Sequence, residues 1–244
     1  MDYEVLRRLC ARVNCPGTYV ETITRELIML GVTEILNEGP LEFMSIRLLG
    51  KGQNGFVFKC RLEYSSDYYA CKIRRFDASR DDLLREGYMM RLANSVDVGP
   101  MLMNFSRNVI VMELVNGVEL GDYVRTHDVG EVRSVARELL TQCHRLDVIG
   151  VAHNELSRLG EHVLVGPNGK VYIIDFESAT FKRGVNVPQA INALLLRPGQ
   201  EQGLIREKLG VHVDVGVIKG LLHEYKRNPT WDLMLRLMSL LNLS

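Results

Sequence analysis

A glycine-rich turn at residues 50–55, which reads G-K-G-Q-N-G, constrains the fold of this chain more than any other stretch. The run after it, residues 56–62 (F-V-F-K-C-R-L), has the pattern of a β-strand and lacks the apolar spacing of a helix. A dinucleotide-binding glycine motif has to open a helix whose N-terminus holds the pyrophosphate, so that fold loses its support. The pattern predicts a strand–turn–strand hairpin, with its first strand at 43–49. Its amides can lie over phosphates because glycine has no Cβ.

A lysine and a glutamate downstream of this turn are candidates for a buried ion pair. Lys72 lies among apolar and aromatic neighbours in a third predicted strand, residues 68–73, although most strand lysines are solvated edge residues. Ser79 and the acids after it predict an N-cap for a helix through residue 93, on which Glu86 shares a face with apolar side chains. A carboxylate on a packing face needs a cation, and Lys72 is the candidate.

A second cluster of polar residues surrounds a predicted hairpin in the second half of the chain. The turn signature P-N-G at 167–169 separates two β-branched runs, which predict paired short strands. His153, Glu155 and His162 precede the hairpin, and Asp175 follows it. Acidic residues just beyond buried strands suit a metal ion or a hydroxyl group better than a core.

The N-terminal residues 1–38 are predicted to be helical, with two short amphipathic segments separated by the break C-P-G. Such helices cannot bury themselves alone. They are interpreted either as a helical cap on the adjoining sheet or as a small recognition module, such as a winged-helix relative.

The remaining predicted elements are one strand and several helices. Residues 108–115 predict a buried strand. Helices are predicted at 120–126, 132–146, 187–196, 201–209, 214–227 and 230–241. The apolar stripe of the 132–146 helix is interpreted as core, without a functional role.

Composition places the chain among ordinary globular proteins. Thirty basic residues balance thirty acidic ones, so no global field draws the chain to nucleic acid or to an anionic membrane. The five cysteines show no metal-type spacing, and they are predicted to be free thiols in a reducing compartment. No apolar run approaches membrane-spanning length and no signal-type segment opens the chain, so a cytoplasmic location is expected.

The chain resembles the protein-kinase fold over about residues 43–196. The resemblance depends on six features that follow one another in the order found in kinases: the glycine hairpin, the strand lysine, the helix glutamate, the linker after residue 114, the His-x-acid loop and the I-D-F sequence at 174–176. Specifically, the chain resembles the atypical, RIO-like, archaeal-type Ser/Thr protein kinases. The resemblance implies an α+β, two-lobed fold with a short helical N-terminal extension (1–38), a sheet-rich N-lobe (39–115) and a reduced helical C-lobe (116–244).

The resemblance also implies roles for individual residues, with ATP and Mg²⁺, or Mn²⁺ in its place, as cofactors. Glu155, Lys72 and Asp175 would be catalytic, Lys72 would pair with the α and β phosphates while Glu86 holds it, and Asp175 would bind the metal. The other implied cofactor-binding residues cover the phosphates or adjoin the adenine: Gly50, Gly52, Gly55, Val57, Ala70, Met112, Glu113, Val115 and His162.

Three departures from the kinase pattern qualify these roles. Glu155 stands where aspartate is usual, and it remains ionised at neutral pH. The usual metal-binding asparagine is absent: Gly160 occupies its offset, or His162 does after a two-residue insertion, and histidine is a poor Mg²⁺ ligand. His162 would then contact phosphate or adjust Glu155, unless metal binding rests on Asp175 with help from elsewhere. Glu177 replaces the usual glycine and is a candidate second oxygen ligand.

The sequence leaves three functions open. The first is an ATP-dependent kinase that acts on protein Ser or Thr, itself included. The second is a kinase-like ATPase or a nucleotide-sensing pseudokinase, and the third is a small-molecule kinase. No long activation segment fits before the next predicted helix, so regulation by phosphorylation there is not expected. The protein substrate is unknown, and no membrane partner or strong nucleic-acid signal is predicted, although residues 1–38 could recognise a partner.

Overall fold

The computed structural model describes residues 2–212 and 214–243, and the chain divides into two compact units. Unit 1 comprises Met1–Tyr88 and Pro100–Leu114, and unit 2 comprises Met89–Gly99 and Val115–Ser244. None of the helices in the described ranges combines the length and the apolar character that a membrane span requires.

Unit 1 is built on an antiparallel sheet. Its strands are β1 (Val32–Leu36), β2 (Leu41–Phe43), β3 (Ile46–Leu48), β4 (Gly50–Lys51), β5 (Gly55–Leu62), β6 (Tyr68–Arg74), β7 (Leu102–Phe105) and β8 (Val109–Glu113). The main sheet runs in the order β1-β5-β6-β8-β7, β4 pairs with β5, and β2 pairs with β3. Helices α1 (Glu4–Val13) and α2 (Gly17–Met29) precede the sheet, and α3 (Leu84–Asn94) begins in unit 1.

Two segments at the start of the sheet differ from the sequence prediction. Residues 32–36 form strand β1 and not a helix, because Gly31 leaves helical geometry at φ +73° and the β-branched run after it pairs with β5. The single strand predicted at 43–49 is instead the β2–β3 hairpin. Its two-residue turn has φ 51° at Met44 and 59° at Ser45, a geometry that the residue types did not reveal.

Helices α1 and α2 belong to the core of unit 1. Tyr3, Leu6 and Leu9 of the first segment lie in one apolar cluster with Leu27 of α2 and Phe58 of the sheet, and all five are buried. Full burial of such side chains contributes about 1.5–3 kcal/mol each. This packing agrees with the interpretation of these helices as a cap on the sheet; partner recognition by residues 1–38 stays a prediction.

Helix α3 starts later than predicted. Ser79 does not cap it, because the Ser79 hydroxyl donates to the Asn54 side chain at 3.0 Å. The Asp82 carboxylate accepts from the Leu84 amide at 3.1 Å, and Leu84 is the first helical residue. A short acidic side chain just before the helix thus supplies the acceptor that the sequence pattern assigned to serine.

Four of the five cysteines form disulfides. Cys10 pairs with Cys15 at a Cα–Cα distance of 5.0 Å, and Cys60 pairs with Cys71 at 6.1 Å. The prediction of free thiols is wrong for these four, because the register of β5 and β6 brings Cys60 and Cys71 within bonding reach although their sequence spacing suggests no pairing. Cys143 is a buried thiol, and burial raises its pKa.

Unit 2 is mainly helical. Its helices are α4 (Leu120–Thr126), α5 (Val129–Ile149), α6 (Leu159–His162), α7 (Asn186–Ile191), α8 (Gln200–Leu209), α9 (Val215–Arg227) and α10 (Trp231–Leu240), with a π-helical turn at Asn192–Leu196. Its strands are β9 (Val118–Glu119), β10 (Val151–Ala152), β11 (Val163–Val165), β12 (Val171–Ile173) and β13 (Thr180–Phe181). The predicted β11–β12 hairpin is confirmed, and β9 extends it on the other edge of β11.

Helix α5 is the central packing element of unit 2. Asp128 and Glu131 form a capping box at its start, and Gly150 ends it in the left-handed conformation at φ +78°. Its predicted apolar stripe, Val132, Val135, Ala136, Leu139, Leu140 and Cys143, is buried. The chain continues from the end of this helix directly into β10 and then into the polar loop.

Candidate active site

The glycine turn in unit 1 is held by a buried asparagine. The Gly52 amide donates to the Gly55 carbonyl at 2.8 Å and closes the turn. Asn54 is 1% exposed, its carbonyl accepts from the Arg75 amide at 2.8 Å, and its side-chain oxygen accepts from Ser79. Sequence analysis missed Asn54, although a polar residue inside a glycine turn is a signal for such an anchor.

Gly55 is required by the position of Lys72. A Cβ at residue 55 would lie 2.9 Å from both Cγ and Cε of Lys72, closer than real side-chain carbons approach. Gly55 begins β5, and the register pairs Val57 with Lys72 on β6. The absence of a side chain at Gly55 therefore lets the lysine stem pass along the sheet toward its partner.

Lys72 and Glu86 form the buried ion pair that their spacing predicted. The Lys72 Nζ lies 2.8 Å from Glu86 Oε1, and the two side chains are 6% and 4% exposed. Burying two charges costs several kcal/mol for each ion before their attraction is counted, so such a pair is an expensive way to stabilise a fold. The pair holds a desolvated ammonium group at one fixed position on β6.

The residues predicted to adjoin a nucleotide base occupy neighbouring strands. Ala70 on β6 is buried and lies opposite Met112 of β8. The Glu113 amide donates to the Met101 carbonyl at 2.8 Å, and the Glu113 carboxylate accepts from the Met101 amide at 3.0 Å. Because the Glu113 amide is engaged, the predicted main-chain donor for adenine would have to come from another residue, such as Val115.

In unit 2, His153 is a fixed, neutral support for the polar loop. It is fully buried, its Nε2 donates to the Ile174 carbonyl at 2.9 Å, and its Nδ1 accepts from the Glu155 amide at 3.4 Å. Burial lowers the pKa of His153 to about 4, against smaller opposing contributions from the Ile174 carbonyl and the nearby carboxylates. The imidazole therefore carries no charge at neutral pH and acts by holding the loop.

The His153 loop is itself held by a buried carboxylate that sequence analysis missed. The His153 amide donates to Asn186 Oδ1 at 2.9 Å, and the Asn186 side chain donates to Asp147 Oδ1 at 2.9 Å. Asp147 also accepts from the Val185 amide and from the Tyr225 hydroxyl. Burial raises the pKa of Asp147, although these hydrogen bonds favour its charged form. Nothing in the helical pattern around Asp147 distinguished it from a surface residue.

The two carboxylate oxygens of Glu155 have different neighbours. The Arg158 guanidinium donates to Oε1, and Arg158 also lies 3.0 Å from Glu161. The Oε2 atom lies 3.9 Å from Nε2 of His162. The predicted proton acceptor is thus partly exposed and is held by a surface arginine on one oxygen only.

Asp175 follows β12 in an uncommon backbone conformation, with φ 65° and ψ 76°. Residues other than glycine are held in this region at a cost of about 1–3 kcal/mol, and such strain is concentrated at functional sites. Carboxylate or imidazole atoms of Asp175, Glu155 and His162 lie within 4.8 Å of one another, and Asp175 and Glu177 also approach within that distance. The fold therefore brings together the predicted residues of unit 2.

This cluster fits a divalent cation in its charge and spacing. Asp175 with Glu155 or Glu177 supplies the hard carboxylate oxygens that Mg²⁺ prefers, and these residues could hold it. His162 adds a nitrogen donor, which Mg²⁺ does not favour.

The chain is similar to a protein family and to individual known proteins. Residues 57–194 match the family model of the RIO domain. An uncharacterised protein of Methanocaldococcus jannaschii is 32% identical over 117 residues, which are 48% of this chain and 99% of that protein. "Putative mitogen-activated protein kinase 14C" of Drosophila melanogaster is 27% identical over 167 residues, 62% of this chain and 46% of that protein.

A solved structure is similar in fold. The Cydia pomonella granulovirus kinase PK-1 superposes with a TM-score of 0.50 at 17% identity, over 68% of this chain and 58% of that chain. The chain spans about half the length of these two kinases. At this identity the likeness concerns the fold alone, and it confirms the predicted α+β, protein-kinase-like fold.

Proposed function

This chain belongs to the RIO domain family, and we propose that it is an ATP- and Mg²⁺-dependent phosphotransferase that acts on Ser or Thr hydroxyl groups of proteins, itself included. The family and the fold make it an atypical, kinase-like protein. The observation that carries the finer proposal is the buried Lys72–Glu86 pair at 2.8 Å. An ammonium group that has lost its hydration is a strong ligand for phosphate oxygens, and Glu86 holds it in one place.

The glycine turn and the strand residues support nucleotide binding. Gly50 and Gly52 leave the backbone of the turn uncovered by side chains, so phosphate oxygens can approach it, and Asn54 restrains the turn. Val57 and Ala70 offer apolar surface for a base, and Val115 is the proposed main-chain contact to adenine. In this proposal Lys72 contacts the α and β phosphates.

The carboxylates of unit 2 carry the chemical step in this proposal. Asp175 holds Mg²⁺ with Glu177 as a second oxygen ligand, and a bound Mg²⁺ neutralises phosphate charge. Glu155 accepts the proton of the attacking hydroxyl, as an ionised carboxylate can at neutral pH. Its Oε2 serves this role, because Oε1 is bound by Arg158. His153 holds the Glu155 amide and thereby orients the loop.

ATP binding is tested by thermal unfolding with and without Mg-ATP. Wild type should be stabilised by about 2.7 kcal/mol at a ligand concentration 100-fold above Kd. Lys72→Met should lose this shift, each protein being compared with its own nucleotide-free form. Lys59→Met is the matched control, since Lys59 lies on the same sheet and pairs with Glu38 at 2.7 Å. No shift in wild type at millimolar Mg-ATP would contradict nucleotide binding.

Phosphoryl transfer is tested with radiolabelled ATP and general protein substrates. Glu155→Gln keeps the size of the side chain but cannot accept the proton, and transfer should fall by roughly 10²-fold or more. Glu161→Gln is the control, because Glu161 also binds Arg158 but is exposed. Equal rates in wild type and Glu155→Gln would remove Glu155 from this role.

The same assay separates the alternative functions. Label released only as free phosphate would indicate an ATPase, and binding without turnover would indicate a nucleotide-sensing pseudokinase. Label on a small hydroxyl compound but not on protein would indicate a small-molecule kinase. The cytoplasm stays the proposed compartment, and the protein substrate is not specified by the residues of the site.

A further inference from the structure

His162 is a buried side chain whose ring nitrogens have no hydrogen-bond partner among the described residues. It is 5% exposed, and within the described part of the chain neither ring nitrogen makes a hydrogen bond. A buried polar group without a partner costs about 1–3 kcal/mol. Such a group therefore calls for an explanation in terms of something that the nitrogen binds.

The other fully packed histidines of unit 2 show what a structural histidine does here. His153 donates from Nε2 to the Ile174 carbonyl, and His144 pairs through Nδ1 with the Tyr225 hydroxyl. His162 packs edge-on against His153 at 5.3 Å between ring centroids, yet it makes no such bond. Its Nε2 instead lies 3.9 Å from Oε2 of the Glu155 carboxylate.

We propose that Glu155, His162 and Asp175 form a binding site for a first-row transition-metal dication, such as Mn²⁺, Co²⁺ or Zn²⁺, which the protein binds without nucleotide and in preference to Mg²⁺. The three ligand atoms lie within 4.8 Å of one another. An imidazole with two carboxylates is a donor set that suits these cations, whereas Mg²⁺ favours oxygen alone. Among the transition metals, Zn²⁺ should bind more tightly than Mn²⁺.

The backbone holds two of the ligands in place. The Ile174 amide donates to the His162 carbonyl at 2.9 Å, and β11 pairs with β12 beside it, so His162 and Asp175 leave the same end of one hairpin. Two atoms about 2.1 Å from one cation lie about 3.4 Å apart at a tetrahedral angle. The observed 3.9 Å between His162 and Glu155 needs only a small side-chain rotation to reach this separation.

The charge of the site also suits a dication. Asp175 and Glu155 supply two carboxylates, while Arg158 takes up Oε1 of Glu155 and leaves Oε2 on the side of His162. This site is distinct in its donors from an oxygen-only magnesium site. It shares Asp175 and Glu155 with the proposed phosphotransfer site, and a cation bound to Oε2 of Glu155 would take the oxygen that is proposed to accept the proton. Its occupancy is measured on the protein alone, without nucleotide.

Mn²⁺ alone is the probe, titrated into the metal-free 244-residue chain without nucleotide, and binding is read from the loss of the free Mn²⁺ paramagnetic resonance signal. We expect one bound Mn²⁺ per chain, displaced by equimolar Zn²⁺ but retained in a 100-fold excess of Mg²⁺. His162→Asn, which replaces the nitrogen donor with an amide oxygen, should weaken Mn²⁺ and Zn²⁺ binding by at least about tenfold. Mg²⁺ binding should not weaken.

His223→Asn is the matched control, because it removes an exposed histidine of unit 2 and should leave Mn²⁺ binding unchanged. Glu155→Gln is the second variant and should also weaken Mn²⁺ binding, so the test survives if His162→Asn fails to fold, which thermal unfolding would reveal. The proposal is overturned if wild type binds no Mn²⁺, if Mg²⁺ displaces it, or if a folded His162→Asn or Glu155→Gln variant binds Mn²⁺ as tightly as wild type. A loss of phosphotransfer activity in any variant bears on the proposed function and not on this result.

Discussion

Acidification should destabilise the protein through His153 before most carboxylates are protonated. This histidine is fully buried, and burial lowers its pKa from 6.5 to about 4. The unfolded chain therefore binds more protons than the folded chain between these two pH values. Stability contributed by the neutral imidazole is present above about pH 6.5 and is lost as the pH falls toward 4.

The magnitude follows from the two pKa values. The pKa of His153 is about 6.5 in the unfolded chain and about 4 in the folded chain, so protonation of His153 should lower the free energy of unfolding by about 2 kcal/mol between pH 7 and pH 5. The loss should reach about 3 kcal/mol by pH 4. A contribution of this size is a large fraction of the stability of an ordinary domain, which is about 5–15 kcal/mol.

The assay is urea unfolding of wild type and His153→Gln at several pH values from 7 to 4.5. Glutamine can still donate to the Ile174 carbonyl but does not titrate in this range. The variant will be less stable at pH 7 because its packing differs, so the measured quantity is how the difference between the two proteins changes with pH. That difference should shrink by about 2 kcal/mol from pH 7 to pH 5.

His223→Gln is the control, since it removes an exposed histidine and should give a curve parallel to that of wild type. His144 also has a pKa lowered by burial, but it is present in every protein compared and cancels. Parallel curves for wild type and His153→Gln would refute the argument that the imidazole is held neutral by burial.

Two further substitutions test the supports of the site. Asp147→Asn should lower the free energy of unfolding, measured in urea, by roughly 3 kcal/mol, because its amide donor would face the donors of Asn186 and Tyr225. Asp232→Asn, at an exposed position, is the control and should change this free energy little. Equal effects of the two substitutions would contradict the hydrogen-bond network around Asp147. Gly55→Ala should displace Lys72 and remove the Mg-ATP shift in thermal unfolding. Gly220→Ala is the control, at a helical glycine where a Cβ would meet nothing within 4 Å; it should keep the Mg-ATP shift and raise the free energy of unfolding by about 0.5–1 kcal/mol. An intact Mg-ATP shift in Gly55→Ala would show that Lys72 tolerates the added carbon.

Several features of the site were predictable because they depend on local pattern. Glu86 was assigned to the packing face of its helix from three-and-four residue spacing, and a buried carboxylate there required a cation. The β11–β12 hairpin followed from a turn signature between two β-branched runs. In both cases the periodicity of the side chains and the cost of burying charge left few alternatives.

Other features depend on contacts between residues far apart in the chain, and no local pattern encodes them. The Cys60–Cys71 disulfide depends on the register of two strands, which a single residue of slip would change. Asp147 and Asn186 are 39 residues apart, and only the packing of α5 against the start of α7 turns an ordinary helical aspartate into a buried acceptor. The turn at Met44 and Ser45 contains neither glycine nor asparagine, so the residue types did not predict it.

By itself, the order of residues determined that this chain has a glycine hairpin, a strand lysine matched to a helix glutamate, and a hairpin that ends in an aspartate, because each follows from side-chain periodicity or turn chemistry over a few positions. Only the tertiary structure decided that the His162 ring is buried beside Glu155 and Asp175, with no hydrogen bond from its nitrogens to any residue that the structure describes. The reason is physical: burial and the pairing of polar atoms are properties of the whole packed unit, since each residue's neighbours are brought to it by distant parts of the chain.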